Sequence, residues 1–163
     1  MKSHPQFEVP SSRKARRQAG AVQMEFLLSF ITMMFVIFWI WEVIFAVYTK
    51  TVLADAAKEG VRYAIVHGKG NTNCSGPNTP ACPDPTGANV VSQVQDYAQL
   101  TLHDTSAMTV TVQYLDNAGG FATTVDPNTR VRVAVSYTYV PYITSLPWVA
   151  PTLNAVAEGR IVN

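Results

Sequence analysis

The side chains of this 163-residue chain best suited to chemistry are three histidines and two cysteines, and their placement argues against a catalytic centre. His4 lies near the start, while His67 and His103 fall where helices are expected to end. None stands in a pattern such as Gly-x-Ser-x-Gly or His-Glu-x-x-His, and no glycine-rich phosphate loop is present. A lone histidine of this kind is ordinarily solvated, so the expectation is a chain that is not an enzyme and has no cofactor and no metal. Cys74 and Cys82 sit in a stretch rich in Gly, Pro and Asn. In an oxidising compartment so short a separation favours a disulfide, worth about 2–3 kcal/mol by chain-entropy estimates. Two unrelated thiols are the other reading, and a zinc site would be incomplete even with His67.

The chemistry that the sequence does carry is electrostatic. From Phe26 to Val47 the only ionisable residue is Glu42. About 22 residues rising 1.5 Å each make a helix of roughly 33 Å, enough to cross a hydrocarbon layer of about 30 Å. Arg13, Lys14, Arg16 and Arg17 precede that run, and basic residues so placed stay on the cytoplasmic side, leaving everything after Val47 outside. Glu25 stands at the mouth of the apolar run, where an ionised carboxylate costs on the order of 2.5–3.5 kcal/mol on insertion scales and calls for a partner. Cleavage between Gly20 and Ala21 would supply one, an α-amino group with a reference pKa near 8, on the same or a neighbouring subunit. The plainer reading of Glu25 is an interfacial residue that reaches lipid headgroups. Glu42, about 25 Å further along, is expected to be solvated at the outer boundary or to pair between helices.

Gly20, Ala21 and Glu25 resemble the processing site of type IV prepilins, whose short basic leader ends in Gly and precedes an apolar helix with Glu as its fifth residue. Glu42, followed by Ala56-Ala57-Lys58-Glu59-Gly60-Val61-Arg62-Tyr63-Ala64, is similar to the signature of the TadE-like family of minor pseudopilins. The likeness covers roughly residues 19–65 and singles out Glu42, Ala56, Ala57, Glu59, Gly60, Arg62 and Tyr63. It implies a pilin-like α+β fold and cleavage by a prepilin peptidase. It also implies helix pairing with other pilins or pseudopilins on the inner-membrane assembly platform of a tight-adherence pilus, which serves attachment and biofilm formation. The rival expectation is an uncleaved single-pass anchor whose outer domain binds another envelope component. A secretory signal cut near Ala54-Asp55-Ala56 fits poorly, because the apolar run exceeds the usual core of such signals.

Charge is partitioned along the chain. Residues 1–20 hold five Lys/Arg against one Glu, whereas residues 21–163 hold seven Lys/Arg against ten Asp/Glu. The exported part is therefore acidic, which argues against nucleic acid as its partner and leaves lipid and protein. Residues 1–20 read as a cytoplasmic leader. Residues 21–67 read as a membrane helix continuing as an amphipathic one, on the three- and four-residue spacing of Val52, Ala56, Ala57, Val61, Ala64 and Ile65. Gly68 and Gly70 are expected to end it. The remainder, 68–163, reads as one small extracytoplasmic α+β domain.

Within that domain, Asn71 to Gly87 reads as a surface loop, on its four prolines. Val90, Val91, Val94, Tyr97, Ala98 and Thr101 predict a second helix from Asn89 to near His103. Period-two alternation predicts strands over 107–115, 129–140 and about 153–162, with a short additional strand over 121–125. The proline-framed stretch 141–151 either covers the core or offers an apolar patch to a partner or the bilayer.

Overall fold

The structure is a computed structural model describing residues 12–77, 82–102, 104–142 and 151–162, with side chains from residue 20 onward. Helix α1 runs Ser12–Val66, and the chain divides into two compact units between Trp41 and Glu42.

In the first unit the helix carries its large apolar side chains outward. Phe26, Leu28 and Met33 are all exposed, and the most apolar stretch has a mean hydropathy of 2.3 with none of it buried. Among the described residues α1 is the one helix long and apolar enough to cross a membrane. A helix apolar all round has no polar face with which to meet water, so it requires an apolar environment or other helices.

The second unit is an α+β domain. Besides the part of α1 from Glu42 onward it contains α2 (Ala88–Gln99) and strands β1 (Met108–Leu115), β2 (Arg130–Thr138) and β3 (Thr152–Arg160). The strands form one antiparallel sheet in the order β1-β2-β3, in a register that sets Val112 opposite Val133 and Val133 opposite Ala157. Alternation explains why these segments are strands. Val131, Val133 and Val135 of β2 face the helices and are fully buried, while Arg130, Arg132 and Ala134 between them are not. β-Branched side chains suit that pleated, half-buried surface.

Against the sheet lie Leu53, Ala56, Ala57, Val61 and Ala64 of α1 and Val90, Val94 and Ala98 of α2. Each large apolar side chain so buried contributes about 1.5–3 kcal/mol relative to exposure. The small ones contribute by letting backbones approach. A Cβ on Gly60 would overlap Cγ2 of Val94 and come within 3.6 Å of Val133, so glycine is required where α1, α2 and β2 meet. Gly159 of β3 plays the same part beneath Ile65 and Val61.

Four features depart from the expectations. α2 stops at Gln99, where Leu102 N–H closes onto the Ala98 carbonyl, so its buried stripe narrows to Val90, Val94 and Ala98 and leaves Tyr97 and Thr101 outside. Residues 121–125 form no strand. Phe121 makes a single bridge to Leu115, and Val125 is instead a fully buried plug. Gly68 and Gly70 do not take the left-handed conformation, because Asn71 closes the end of α1, donating Nδ2 to the Val66 carbonyl (3.3 Å) and its N–H to Gly68 (3.0 Å). Finally, the described part of the 71–87 loop is a surface feature only in part: Thr72, Asn73, Pro83, Pro85 and Thr86 are exposed, but Cys74, Ser75 and Asp84 are buried, and Gly76 N–H donates to the Asp84 carbonyl at 2.7 Å. Most of the proline-framed stretch, 143–150, lies outside the described residues, as does His103.

Substituting Gly60→Ala should therefore lower stability despite alanine's better helix propensity. Overpacking costs about 1–3 kcal/mol against a propensity gain of at most about 1 kcal/mol. Denaturant unfolding of the detergent-solubilised chain, followed by the near-ultraviolet signal of the domain, checks the sign.

Candidate functional site

Two carboxylates, Glu25 and Glu42, mark the apolar part of the long helix, and the structure treats them differently. Glu42 is half-buried, and its Oε1 accepts the Tyr139 hydroxyl at 2.7 Å and the Tyr142 backbone N–H at 3.2 Å. One turn on, the Phe45 ring lies 5.1 Å from the Tyr142 ring, tilted by 45°. Period-two alternation carries Tyr139, one residue past β2, onto the core side, where it is buried. Burial, followed by the hydrogen bond to the Glu42 carboxylate, holds the Tyr139 hydroxyl far above the ordinary tyrosine range, so it stays a donor at any physiological pH. Glu42 thus has hydrogen-bond partners within its own chain. It ties α1 to the segment leaving β2.

Glu25 has no such tie. It is exposed, and among the described residues it has no hydrogen-bond or ionic partner. Gly20 and Ala21 are exposed on the same helix, and a Cβ on Gly20 would meet nothing within 4 Å. These three residues lie together in one open stretch of α1 within the first unit.

The motif Ala56-Ala57-Lys58-Glu59-Gly60-Val61-Arg62-Tyr63 resolves into a packing face and a solvent face. Ala56, Ala57 and Gly60 point into the core, whereas Glu59 and Arg62 form an exposed pair at 3.4 Å beside a Lys58–Asp55 pair at 2.9 Å. Such exposed pairs contribute a few tenths of a kcal/mol. Tyr63 stacks on His67, with ring centroids 3.9 Å apart, and the His67 Nδ1 lies 2.8 Å from the Tyr63 carbonyl. His67 thus packs back on the last turn of α1. No group of three His, Cys, Asp or Glu able to hold a metal occurs among the described residues.

Cys74 and Cys82 are joined in a disulfide, with Cα atoms 5.0 Å apart. The loop it closes delivers a residue that sequence reasoning missed. Asp84 accepts the backbone N–H groups of Ala88 and Asn89, both at 2.8 Å, together with the Ser75 hydroxyl at 2.6 Å. It caps α2 from three residues before the N-cap. The N-cap itself is Gly87 at φ 77°, a left-handed position beneath Tyr114 that offers no side chain. Burial raises the Asp84 carboxyl, but the hydrogen bonds from Ser75, Asn89, Ala88 and Thr86 outweigh it and leave the group below the ordinary aspartate value. Beside it the Tyr114 hydroxyl is buried without a partner of hydrogen-bonding geometry, and desolvation pushes it up to about 12.

A third polar cluster lies at the opposite end of the sheet from Thr138. Lys69 Nζ meets Asp126 at 2.8 Å, and Arg160 Nη1 donates to Asn128 at 2.6 Å. The Lys69 and Thr124 hydrogen bonds lower the exposed Asp126 carboxyl. These contacts fasten loops to β3 and the end of α1, and no chemistry follows from them.

Compared with protein-family models, with curated proteins and with solved structures, the chain matches none of them.

Two outcomes follow from this geometry. Because the folded Asp84 value is depressed, its contribution is complete above the unfolded value near 3.9 and is lost as pH falls through the folded one. Asp84→Ala should cost on the order of 2 kcal/mol at pH 7, and the deficit relative to the parent should shrink below about pH 4, as paired denaturation curves would read. Glu42→Ala should leave the Tyr139 hydroxyl buried and unpaired, destabilising the domain by about 1–3 kcal/mol. Glu42→Gln, which keeps the acceptor, should recover most of that loss in the same assay.

Proposed function

We propose that this chain is a minor pseudopilin of the TadE-like kind, a structural subunit rather than a catalyst. On this reading it is inserted in the cytoplasmic membrane with its N-terminus inside and its domain outside. A prepilin peptidase removes residues 1–20, and the freed amine of Ala21 helps to neutralise Glu25 when the helix joins other pilin-like helices during assembly of a tight-adherence pilus.

The observation that carries the proposal is the contrast between the two acids in the apolar part of α1. Glu42 is satisfied by its own domain, while Glu25 stands exposed on an apolar helix with no partner among the described residues. Apolar contacts are indifferent to an axial slip, whereas a carboxylate left unpaired in hydrocarbon is not. Glu25 is then a register device. The basic cluster before Gly20 supports the orientation, and the packed Ala56-Ala57-Gly60 face supports the likeness to the family signature on physical grounds.

N-terminal sequencing of the membrane form is the test. The expected mature chain begins at Ala21, and Gly20→Val should leave a precursor that migrates about two kilodaltons higher, as 20 residues of leader require. A membrane form that begins at Met1 would instead establish the uncleaved anchor, and a soluble form that begins near Ala57 would establish a secretory signal.

A further inference from the structure

Beside the Glu42 tie the domain opens into a groove of about 550 Å³. Its walls are aromatic: Phe45 and Tyr48 from α1, Tyr137 and Tyr139 from the end of β2, and Tyr142 just beyond. Asp104 stands on the rim, its Oδ1 accepting the Ser106 N–H at 2.8 Å, and the Glu42 carboxylate lies directly behind Tyr139 and Tyr142. No Lys, Arg or His lines the groove among the described residues. Aromatic faces with carboxylates behind them attract a cation, and an ammonium over such rings is held by the ring quadrupoles. The same lining offers a phosphate or another anion neutral hydroxyl donors but no positive charge.

The position of the groove indicates where that cation comes from. Phe45 and Tyr48 belong to the last turn of the apolar run, at the level where the sequence places the outer boundary of the bilayer. Tyrosines at that level carry an apolar ring and a polar tip, which suits the headgroup zone. Tyr48 and Tyr142 remain 52% and 75% exposed, so the groove is open to an entering group.

We infer that this groove is a lipid site that takes the ammonium end of a zwitterionic phospholipid headgroup, such as ethanolamine. Tyr48, Tyr137 and Tyr142 supply ring faces, with the Asp104 carboxylate on the rim. The inference rests on the membrane reading above, since it needs the end of the apolar run to lie at a bilayer surface. A lipid so held would fix the domain's height and rotation over the membrane before assembly.

The test uses the full-length chain in micelles containing equal phosphatidylethanolamine and phosphatidylglycerol, with retained lipids counted by native mass spectrometry. The parent should keep the ethanolamine lipid over the glycerol lipid by roughly fivefold, the scale of one exposed cation–π contact. Tyr48→Phe should preserve that ratio, whereas Tyr48→Leu and Asp104→Asn should each bring it towards one, with thermal unfolding showing that the variants are folded. Equal retention of the two lipids by the parent, or a preference untouched by Tyr48→Leu and Asp104→Asn, would overturn the site. So would a lipid-free dimer, which would assign the groove to a second copy. Flotation of the reconstituted protein with vesicles separates this failure from that of the membrane reading. A chain that floats but shows no lipid preference sinks the groove alone, and one that does not float sinks the span and the groove together.

Discussion

The hydrogen bond from Tyr139 to Glu42 is the constraint from which the rest of the molecule is best understood. A carboxylate near the end of a long apolar helix is costly unless something accepts its charge, and here the domain's own buried hydroxyl and a backbone N–H do so. That contact brings together residues 97 positions apart and sets the aromatic walls of the groove around itself. It also sets apart the two acids in the apolar part of α1. With Glu42 consumed inside the chain, Glu25 is the carboxylate of that helix still in need of a partner, and the proposed function follows from that remainder rather than from any catalytic constellation.

How much of this was legible in the sequence depended on how local the determining interaction is. The strands were readable because Val131, Val133 and Val135 alternate with residues the core does not use, and a period of two needs no knowledge of the partner strand. The packed stripe on α1 was readable for the same reason at a period near 3.6. Phe121 to Val125 misled because its apolar content serves a plug, Val125, and a single bridge, which composition does not distinguish from a strand. Prolines in the 71–87 loop correctly excluded regular structure, but irregular backbone is not the same as exposed backbone. Its buried members hydrogen-bond to one another and to α2, so burial leaves few of their polar groups unpaired. The cap on α2 was hidden because Gly87 occupies the N-cap, while the residue doing the capping lies three positions earlier. Neither Tyr139 nor Tyr142 carried any signal of pairing with Glu42, since nothing in a strand's alternation names the helix it will meet.

The small residues of α1 show why one helix can serve two surroundings. In its first unit the exposed side chains are large and apolar, as hydrocarbon requires, where apolar contact confers no preference among partners and a single charge has a large effect. In the second unit the side chains that face the sheet shrink to Ala56, Ala57, Gly60 and Ala64, and stability comes from burying the valines of α2 and β2 against a closely approaching backbone. Water drives that packing, whereas in the proposed membrane setting the apolar segment takes its specificity from Glu25. The two halves of the helix are therefore governed by opposite rules. On that proposal a glycine matters where surfaces touch in water, and a glutamate where they touch in lipid. Gly60 and Glu25, two residues with little in common chemically, thus stand for the two rules on α1, while Glu42 ties the helix to its own domain.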